Sequence, residues 1–368
     1  MKVICSKEEL LIGSQIVQTV VSPRSTLPIL SNFLLETKDT SIKFSSTDLE
    51  VGVSCMIKGE VLKEGSITIP AKRFGEIVKE LPNDKDIEIK ADDTNQINIK
   101  CGKSKFVLMG LPKTDYPVLP AFPEEGVFEI PVVVIKNMLK RTAFAVSTDE
   151  TRYVLNGVYI VAENGHIKMV ATDGRRLAFV SREGFDKKLN KKAIIPAKAV
   201  NELQRVLSTT ADQQKVRVGI TENQIAFQMK DITLISRLID GTFPNYEQVI
   251  PKKSEHQVQL KTKEALSVIR QMALLVADKS AVVKCLFSKG ILKVSASAQG
   301  LGSGEAEMDA LYEGPNIEMA FNPSFVIDIL KNMDEDDIVV ELTNPLNPAI
   351  LRPLKDTAYI CVIMPMRI

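Results

Sequence analysis

A helix-like segment occurs three times in this 368-residue chain, at a constant spacing of 126 residues. Residues 68–81 read TIPAKRFGEIVKEL, residues 194–207 read IIPAKAVNELQRVL, and residues 320–333 read AFNPSFVIDILKNM. Apolar residues stand at the same three places in every copy: Phe74, Ile77 and Leu81; Val200, Leu203 and Leu207; Val326, Ile329 and Met333. The spacing i, i+3 and i+7 is typical of one apolar helix face. Self-similarity at a fixed period indicates one structural unit used three times.

A second motif supports the repeat. Residues 168–181 read KMVATDGRRLAFVS, and the segment that starts 125 residues earlier, KFSSTDLEVGVSC, shares its first lysine and its Thr-Asp pair. A third segment, KVSASAQGLGSGE from Lys293, keeps the lysine and the small residues. The copies divide the chain into three domains, at residues 1–123, 124–252 and 253–368, with proline-containing linkers at 111–123 and 241–251.

Each copy is predicted to be an α+β domain with two helices and about eight strands. Helices are predicted after Ser6 and over residues 71–81, 131–146, 197–208, 262–276 and 323–333. Strands are predicted between them, for example over 154–162, 166–172 and 176–182. Three such units can curve into an arc with the helices on one face and the sheets on the other. Two arcs could close a ring, although the pattern alone leaves closure open.

Composition places the chain among soluble globular proteins, with 45% hydrophobic and 25% charged residues. The net charge of +1 argues against a surface that is positive throughout, although a local basic surface remains open. The five cysteines, at 5, 55, 101, 285 and 361, lack close spacing, which favours buried reduced thiols. No apolar run approaches the roughly 18 residues of a membrane span. Charges interrupt the first residues too early for a signal peptide, so a cytoplasmic location is expected.

No pattern in the sequence predicts catalysis, a metal site or a cofactor. The glycine-rich stretch at 300–304 lies on a predicted strand with no helix after it, so a bend between strands is favoured over a phosphate loop. Asp149, Glu150 and Asp173 are expected to be solvated loop carboxylates. Neither histidine has a ligand or nucleophile at a useful spacing. We therefore expect no catalytic, cofactor-binding or metal-binding residues.

Basic residues recur on the predicted helices. They are Lys72, Arg73, Lys79, Lys136, Lys140, Arg141, Lys198, Arg205, Lys263, Arg270 and Lys331. If the helices share one concave face, these cations would contact phosphates without sequence preference. For a single helix the alternative is a solvated face. Glu76, Glu202 and Asp328 each precede a base by three residues, which is typical of a solvated face with weak ion pairs. Because the basic residues recur in all three copies, contact with a polyanion is favoured over a solvated face.

Five segments resemble the bacterial sliding clamps, the beta subunits of DNA polymerase III. They are TLPILSN (26–32), RYVLNG (152–157), ATDGRRLA (171–178), FPNYEQVIP (243–251) and MPMRI (364–368). No single segment is specific, but together they are, and the resemblance covers the whole chain. It implies clamp-type domains in a head-to-tail homodimer, a six-domain ring around double-stranded DNA with helices inside and sheets outside. Such a processivity factor is not an enzyme, uses no cofactor and does not associate with membranes.

The resemblance also implies a hydrophobic cleft between the second and third domains that binds short peptides. The polymerase III alpha subunit, the clamp loader, other polymerases, ligase and mismatch-repair proteins would dock there. The implied cleft residues are Leu155, Thr172, Gly174, Arg175, Arg176, Leu177, Pro244, Val249, Asn322, Phe325, Leu346, Pro348, Val362, Ile363, Met364, Pro365, Met366 and Arg367. Gln248 stands where an arginine is expected and Phe325 where a tyrosine is common, and either could change which peptides bind.

The implied DNA-binding residues are Arg24, Lys198 and Arg152, and the helix pattern adds Arg73, Lys79 and Arg205. Two other functions remain open. One is an enzyme made of three fused α+β units, against which the absence of a catalytic pattern weighs. The other is a monomeric scaffold that uses the groove without DNA. The mass in solution distinguishes the scaffold from the ring, since a ring needs two chains.

Overall fold

The computed structural model describes residues 1–21, 27–38, 40–276 and 282–367. The chain forms two compact units, Met1–Lys136 with Lys198–Leu238, and Asn137–Ala197 with Ile239–Ile368. The second repeat of the sequence therefore contributes residues to both units.

Each repeat contributes two α-helices and eight or nine strands within the described residues, as the sequence predicts. The elements of the first repeat are β1 (Lys2–Cys5), α1 (Lys7–Gln18), β2 (Asn32–Lys38), β3 (Ser41–Thr47), β4 (Val51–Ile57), β5 (Glu60–Lys63), β6 (Gly65–Pro70), α2 (Ala71–Glu80), β7 (Ile87–Ala91), β8 (Gln96–Cys101) and β9 (Ser104–Met109). The elements of the second are β10 (Val127–Pro131), α3 (Val132–Thr142), β11 (Gly157–Glu163), β12 (His166–Thr172), β13 (Arg176–Glu183), β14 (Asn190–Pro196), α4 (Ala197–Ser208), β15 (Lys215–Ile220), β16 (Gln224–Met229) and β17 (Ile232–Arg237). The elements of the third are β18 (His256–Lys261), α5 (Thr262–Ala273), β19 (Val283–Ser288), β20 (Ile291–Ala298), β21 (Gly302–Asp309), β22 (Ile317–Phe321), α6 (Pro323–Lys331), β23 (Asp337–Leu342), β24 (Ala349–Pro353) and β25 (Tyr359–Ile363).

The first unit contains two antiparallel sheets. One has five strands in the order β5-β1-β7-β8-β9, so β9 is an edge strand. The other has eight strands in the order β10-β15-β16-β17-β4-β3-β2-β6. Strands of the second repeat continue into strands of the first where β17 pairs with β4. Helices α1 and α2 pack against each other, and α1 packs on β3 and β4.

The second unit repeats this arrangement. Its eight-stranded sheet runs β14-β11-β12-β13-β25-β24-β23-β18, and the repeats join where β13 pairs with β25. Its four-stranded sheet runs β21-β20-β19-β22, so β21 is an edge strand. Helices α5 and α6 pack against each other, and α5 packs on β20 and β21.

The apolar stripe of the repeated helix faces the core. On α2, the Phe74 ring lies 5.2 Å from that of Phe33 and 6.1 Å from that of Phe44 between centroids, and all three are 0% exposed. Full burial of such a side chain contributes about 1.5–3 kcal/mol. Val78 is fully buried, whereas Ile77 is only half-buried. Both residues belong to the apolar stripe, because residues i+3 and i+4 both lie on the helix face of residue i.

Several helices and strands begin or end at other residues than the sequence analysis predicted. The helix predicted over 131–146 ends at Thr142, whose hydroxyl donates to the carbonyl of Met138 at 2.8 Å. The strand predicted from 154 starts at Gly157, because residues 150–155 form a 3₁₀ helix. Asp149 caps that helix by accepting from the N–H of Thr151 at 3.0 Å. Helices α5 and α6 likewise end two or three residues before the predicted ends.

Other sequence predictions are confirmed. Ser6 caps α1 by accepting from the N–H of Glu9 at 3.3 Å. All five cysteines are buried and free. The glycine-rich stretch at 300–304 forms the turn between β20 and β21 and the start of β21.

Candidate functional site

An apolar pocket of about 160 Å³ lies in the second unit. Three separate segments form it: the β12–β13 loop, the second linker and the C-terminal tail, with Leu155 beside them. The lining residues are Leu155, Thr172, Gly174, Arg175, Arg176, Leu177, Pro244, Asn245, Tyr246, Val249, Val362 and Met364. Ten of these belong to the implied cleft residues. The structure therefore brings together side chains as far apart in sequence as Leu155 and Met364, which are 209 positions apart (364 − 155).

The β12–β13 loop is held by its own side chains. The hydroxyl of Thr172 donates to the carbonyl of Arg176 at 2.6 Å. One carboxylate oxygen of Asp173 accepts from the backbone N–H groups of Arg175 at 2.9 Å and of Arg176 at 3.0 Å. Gly174 has a φ of +83°, in the left-handed region that favours glycine. The TDGRR sequence thus specifies a rigid tight turn at the pocket rim.

Arg176 joins this loop to α6. Its Nε donates to Asp173 at 3.1 Å, its Nη1 to Asp328 at 2.7 Å and its Nη2 to the carbonyl of Phe144 at 2.8 Å. Its guanidinium also lies 4.5 Å from the ring centroid of Phe325, and the side chain is only 9% exposed. Asp328 was predicted to lie on a solvated face paired with Lys331. The side chain of Asp328 is 39% exposed, but the predicted pairing is wrong, because its carboxylate binds Arg176 and not Lys331.

The tail closes the other side of the pocket. Val362 on β25 pairs with Leu177 on β13, and both are buried. The next residue, Ile363, points to the opposite side of the strand into the apolar core of the third repeat. Beyond the strand, the N–H of Met364 donates to the carbonyl of Arg175 at 2.9 Å, and that of Met366 to the carbonyl of Ala320 at 2.8 Å. These two bonds hold the tail across the pocket.

Two aromatic residues of the linker pack at the pocket: Tyr246 lines it, and Phe243 lies in a buried cluster with the lining residues Leu155, Leu177 and Val362. The ring of Phe243 stacks on Tyr159 at 4.8 Å between centroids, and Tyr246 stacks on Phe179 at 5.8 Å. Burial, with a smaller contribution from the charge of Glu247, raises the pKa of Tyr246 to about 12, so its hydroxyl stays neutral. Asn245 and Tyr246 were missed as lining residues. The signal was available, since both lie inside the FPNYEQVIP segment.

Other implied cleft residues lie outside the lining. Asn322 caps α6 by accepting from the N–H of Ser324 at 2.9 Å. Phe325 is not among the lining residues, but its ring contacts Arg176, which is. Leu346 lies in the loop between β23 and β24 and is 79% exposed, and Pro348, in the same loop, is half-buried. Gln248 is exposed and lies at the end of a short 3₁₀ helix. The remaining residues outside the lining are Ile363, Pro365, Met366 and Arg367.

The implied DNA-binding residues have varied surroundings. Lys198 forms an ion pair with Asp48, whose side chain is only 5% exposed. Arg73 pairs with Glu76 at 2.9 Å, and Arg205 with Glu202 at 3.2 Å. Of the other three, Lys79 is exposed, Arg152 pairs with Asp149 at 3.2 Å, and Arg24 lies outside the described residues.

Two predictions about the helix surface are wrong. Arg141 was counted among cations available to a polyanion, but it is only 4% exposed and binds Glu335 and Asp356, each at 2.5 Å. Glu202 was expected on a solvated face, but it is buried. Burial raises the pKa of Glu202, although attraction to Arg205 and a hydrogen bond with Thr19 oppose the effect. Residues that are far away in the sequence bury both side chains, so the local helix pattern does not show their burial.

Within the described ranges, no group of three or more His, Cys, Asp and Glu side chains is arranged to hold a metal ion. None of the helices in that part of the chain is long and apolar enough to cross a membrane.

The fold and the pocket define a class: α+β proteins built from three repeated clamp domains. Three family models, one for each domain of the DNA polymerase III beta subunit, match this chain. The N-terminal domain model matches residues 1–120, the central domain model 129–245 and the C-terminal domain model 247–367. The beta sliding clamp of Chlamydia pneumoniae is 36% identical over 371 residues, covering 100% of this chain and 99% of its own length. That of Staphylococcus aureus is 31% identical over 94% of both chains. The chain therefore belongs to the bacterial beta sliding clamp family, the beta subunits of DNA polymerase III.

Solved structures agree with this assignment. The DNA polymerase III beta subunit of Pseudomonas aeruginosa matches with a TM-score of 0.95 and 30% identity over 100% of both chains. The sliding clamp of Bacillus subtilis matches with a TM-score of 0.94 and 32% identity over 100% of this chain and 99% of its own. The expected α+β fold of three clamp domains is thus confirmed.

Proposed function

We propose that two copies of this chain form a closed ring around double-stranded DNA and tether replication proteins to it. In this proposal the protein is a processivity factor without enzymatic activity or a cofactor, and it acts in the cytoplasm. The observation that carries the ring is the strand pairing between repeats, which occurs twice in the same register and leaves the equivalent strands β9 and β21 each unpaired on one side among the described residues.

The two observed junctions are equivalent. Leu234 on β17 pairs with Val53 on β4, and Cys361 on β25 pairs with Ala178 on β13. By the repeat, the strand equivalent to β17 and β25 in the first repeat is β9, and the strand equivalent to β4 and β13 in the third repeat is β21. Both are sheet edges in the isolated chain. A third junction of the same kind therefore requires β9 of one chain and β21 of another, and two such junctions close a head-to-tail pair.

The residues on these edges suit the pairing. If β9 and β21 pair in the same register as the two observed junctions, Phe106 lies opposite Gly304 of the partner subunit. Lys105 then lies opposite Glu305 of the partner subunit. Phe106, Val107 and Met109 are 39%, 57% and 60% exposed in the isolated chain. An edge strand with exposed apolar residues is typical of a surface that another strand covers. The opposite charges at 105 and 305 favour this register over shifted ones.

Cations on the helices support DNA binding. The exposed helix cations that make no hydrogen bond or ion pair within the described residues are Lys72, Lys79, Lys263, Arg270 and Lys331. We include these with Arg24, Arg73, Arg152, Lys198 and Arg205 as candidates for phosphate contacts. Such contacts are salt-sensitive and carry no sequence preference, which suits a ring that slides. Cations already paired with acids would bind phosphate more weakly, because each must first give up its partner.

The pocket supports peptide docking. It is a largely apolar groove with a few polar groups at its rim, the usual character of a site that captures short peptides. Sliding clamps of Pseudomonas aeruginosa and Bartonella birtlesii, both structurally similar to this chain, were solved bound to griselimycin. That supports a ligand-binding surface on this fold. The proposed occupants are peptide segments of the polymerase III alpha subunit, the clamp loader, other polymerases, ligase and mismatch-repair proteins.

The ring is tested by its topology on DNA. The protein is loaded onto a nicked circular plasmid by a clamp loader, isolated by gel filtration, and measured again after the plasmid is cut once. A ring stays on the circle and slides off the linear ends. Equal retention on circular and linear DNA would overturn the ring and favour ordinary surface binding.

A further inference from the structure

One position of the repeated helix carries an acid in all three copies, and each of these acids binds an arginine. The three ion pairs are Glu76 with Arg73 at 2.9 Å, Glu202 with Arg205 at 3.2 Å, and Asp328 with Arg176 at 2.7 Å. The side chain of Arg176 is only 9% exposed, whereas those of Arg73 and Arg205 are 73% and 63% exposed. The first two pairs therefore hold cations that an external ligand can reach.

A third pair of this kind joins Lys198, on α4, to Asp48 in the turn between β3 and β4. The acid is fixed, because one carboxylate oxygen of Asp48 accepts from the N–H groups of Glu50 at 3.0 Å and Val51 at 2.8 Å. Its side chain is 5% exposed, whereas that of Lys198 is 48% exposed. The lysine is thus the partner that can turn towards solvent, and the acid stays in place.

The same helices also carry cations without an acid. On α2, Lys72 and Lys79 are exposed and make no ion pair within the described residues, whereas Arg73 is held by Glu76. A cation held by an acid must leave it to contact a phosphate fully, and the lost ion pair is subtracted from the gain. The helices therefore offer a polyanion less attraction than their number of basic residues suggests.

We propose that Glu76, Glu202 and Asp48 compete with DNA phosphates for the cations that they bind, and so keep the hold of the ring on DNA weak. The inference rests on the proposed DNA binding and adds to it the groups that limit its strength. A ring that slides must break its phosphate contacts continually, so weak contacts suit movement along DNA. These acids act on DNA through their cations and are positioning residues.

The test measures binding of the full-length protein to a short linear DNA duplex, which can enter a ring through its free ends without a clamp loader. Fluorescence anisotropy gives the dissociation constant over a series of salt concentrations at about pH 8, where Asp and Glu side chains are charged. The variants are Glu76→Gln and Asp48→Asn. The asparagine oxygen can still accept the two backbone hydrogen bonds of the turn, and melting temperatures check that each variant is folded.

The matched control is Glu129→Gln. Glu129 binds Lys215 at 2.8 Å, and the two side chains are 50% and 63% exposed, so this pair resembles that of Glu76 and Arg73. It lies on strands β10 and β15 and not on a helix, and the change in net charge is the same. A second control separates competition from simple repulsion between acid and phosphate: Glu76→Gln is also made in an Arg73→Gln background.

Glu76→Gln should lower Kd by about 1.5- to 5-fold at low salt, the range expected for an exposed ion pair, and Asp48→Asn should lower it at least as much. The slope of log K against log salt concentration should steepen by up to about 0.9 for each released cation. Glu129→Gln should bind like wild type, and Glu76→Gln should have no effect in the Arg73→Gln background.

Three results would overturn the competition and leave DNA binding standing. They are an unchanged Kd in Glu76→Gln, an equal gain in Glu129→Gln, and a gain from Glu76→Gln that persists in the Arg73→Gln background. If wild type does not bind the duplex even at the lowest salt concentration, the proposed DNA binding is itself overturned.

Discussion

Replacing Arg141 by methionine should destabilise the protein far more than replacing Lys140 by methionine, although both changes remove one positive charge from α3. The side chain of Arg141 is 4% exposed, with Nη2 at 2.5 Å from Glu335 and Nη1 at 2.5 Å from Asp356. Its guanidinium also lies 4.6 Å from the ring centroid of Tyr359. Methionine would leave both carboxylates without the cation that they share.

The expected magnitudes follow from burial. Removing one partner of a buried ion pair costs about 3–5 kcal/mol. Arg182 still donates to Asp356 at 2.8 Å, so Glu335 suffers the larger loss, and we expect the lower end, about 3 kcal/mol. Lys140 pairs with Asp334 at 2.5 Å, but these side chains are 43% and 56% exposed. An exposed pair contributes about 0.2–1 kcal/mol, so Lys140→Met should cost no more than about 1 kcal/mol.

Urea denaturation followed by circular dichroism measures both variants against wild type. The dependence of the unfolding free energy on urea concentration should be unchanged, so that a shift in midpoint reports stability alone. Similar losses for Arg141→Met and Lys140→Met would refute the reasoning, because they would mean that the buried cluster contributes no more than an exposed ion pair.

The same cluster predicts a pH dependence. Burial raises the pKa of Asp356, but hydrogen bonds and attraction from Arg141 and Arg182 outweigh burial and leave that pKa below its ordinary value. A carboxylate with a lowered pKa in the folded state contributes stability above its unfolded pKa of about 3.9, and the contribution is lost as pH falls through the folded pKa. The difference in stability between wild type and Arg141→Met should therefore be full at pH 7 and shrink below about pH 4. A difference that grows on acidification would contradict this assignment.

Three further changes test the other sites. Deleting residues 364–368 should abolish binding of a peptide with glutamine, leucine and phenylalanine in calorimetry, because the tail forms one side of the pocket, while the dimer persists. Native mass spectrometry should show about twice 40.7 kDa. Lys105→Glu should shift the protein towards the monomer, because it would face Glu305 of the partner subunit. Adding Glu305→Lys to the same chain should restore the opposite charges and the dimer. Lys198→Glu should lower both retention on circular DNA and the melting temperature, because the nearly buried carboxylate of Asp48 would then face a like charge.

Each of these experiments has a contrary outcome. Equal peptide affinity for full-length and truncated protein would remove the tail from the site. A monomer throughout the micromolar range would refute the ring. The control for the DNA experiment is Lys79→Glu, because Lys79 is exposed and makes no ion pair within the described residues. This variant should lower retention on circular DNA and leave the melting temperature unchanged. An unchanged melting temperature for Lys198→Glu would contradict its pairing with Asp48.

Much of the fold could be predicted from the sequence because it depends on neighbours along the chain. The apolar stripe repeated through Phe74, Val200 and Val326 indicated the helices, and the 126-residue period indicated three similar domains. The cap at Ser6 and the buried thiols were also predictable, since each depends on residue type and local pattern. Most residues of the pocket lie in the segments that resemble sliding clamps, so they were predictable as well. The TDGRR turn among them is local, because its hydrogen bonds form within five residues.

The sequence alone determined the repeat, the helices and strands, and the turn at the pocket rim. The tertiary structure decided what meets across the chain: the pairing of β17 with β4 and of β13 with β25, the closure of the pocket by the tail, and the burial of Arg141 and Glu202. A lysine or arginine on a helix has the same local pattern whether it meets water, a carboxylate or phosphate. Its environment depends on residues brought close by the path of the backbone, and strand pairing and ion pairs form between residues that lie far apart in sequence.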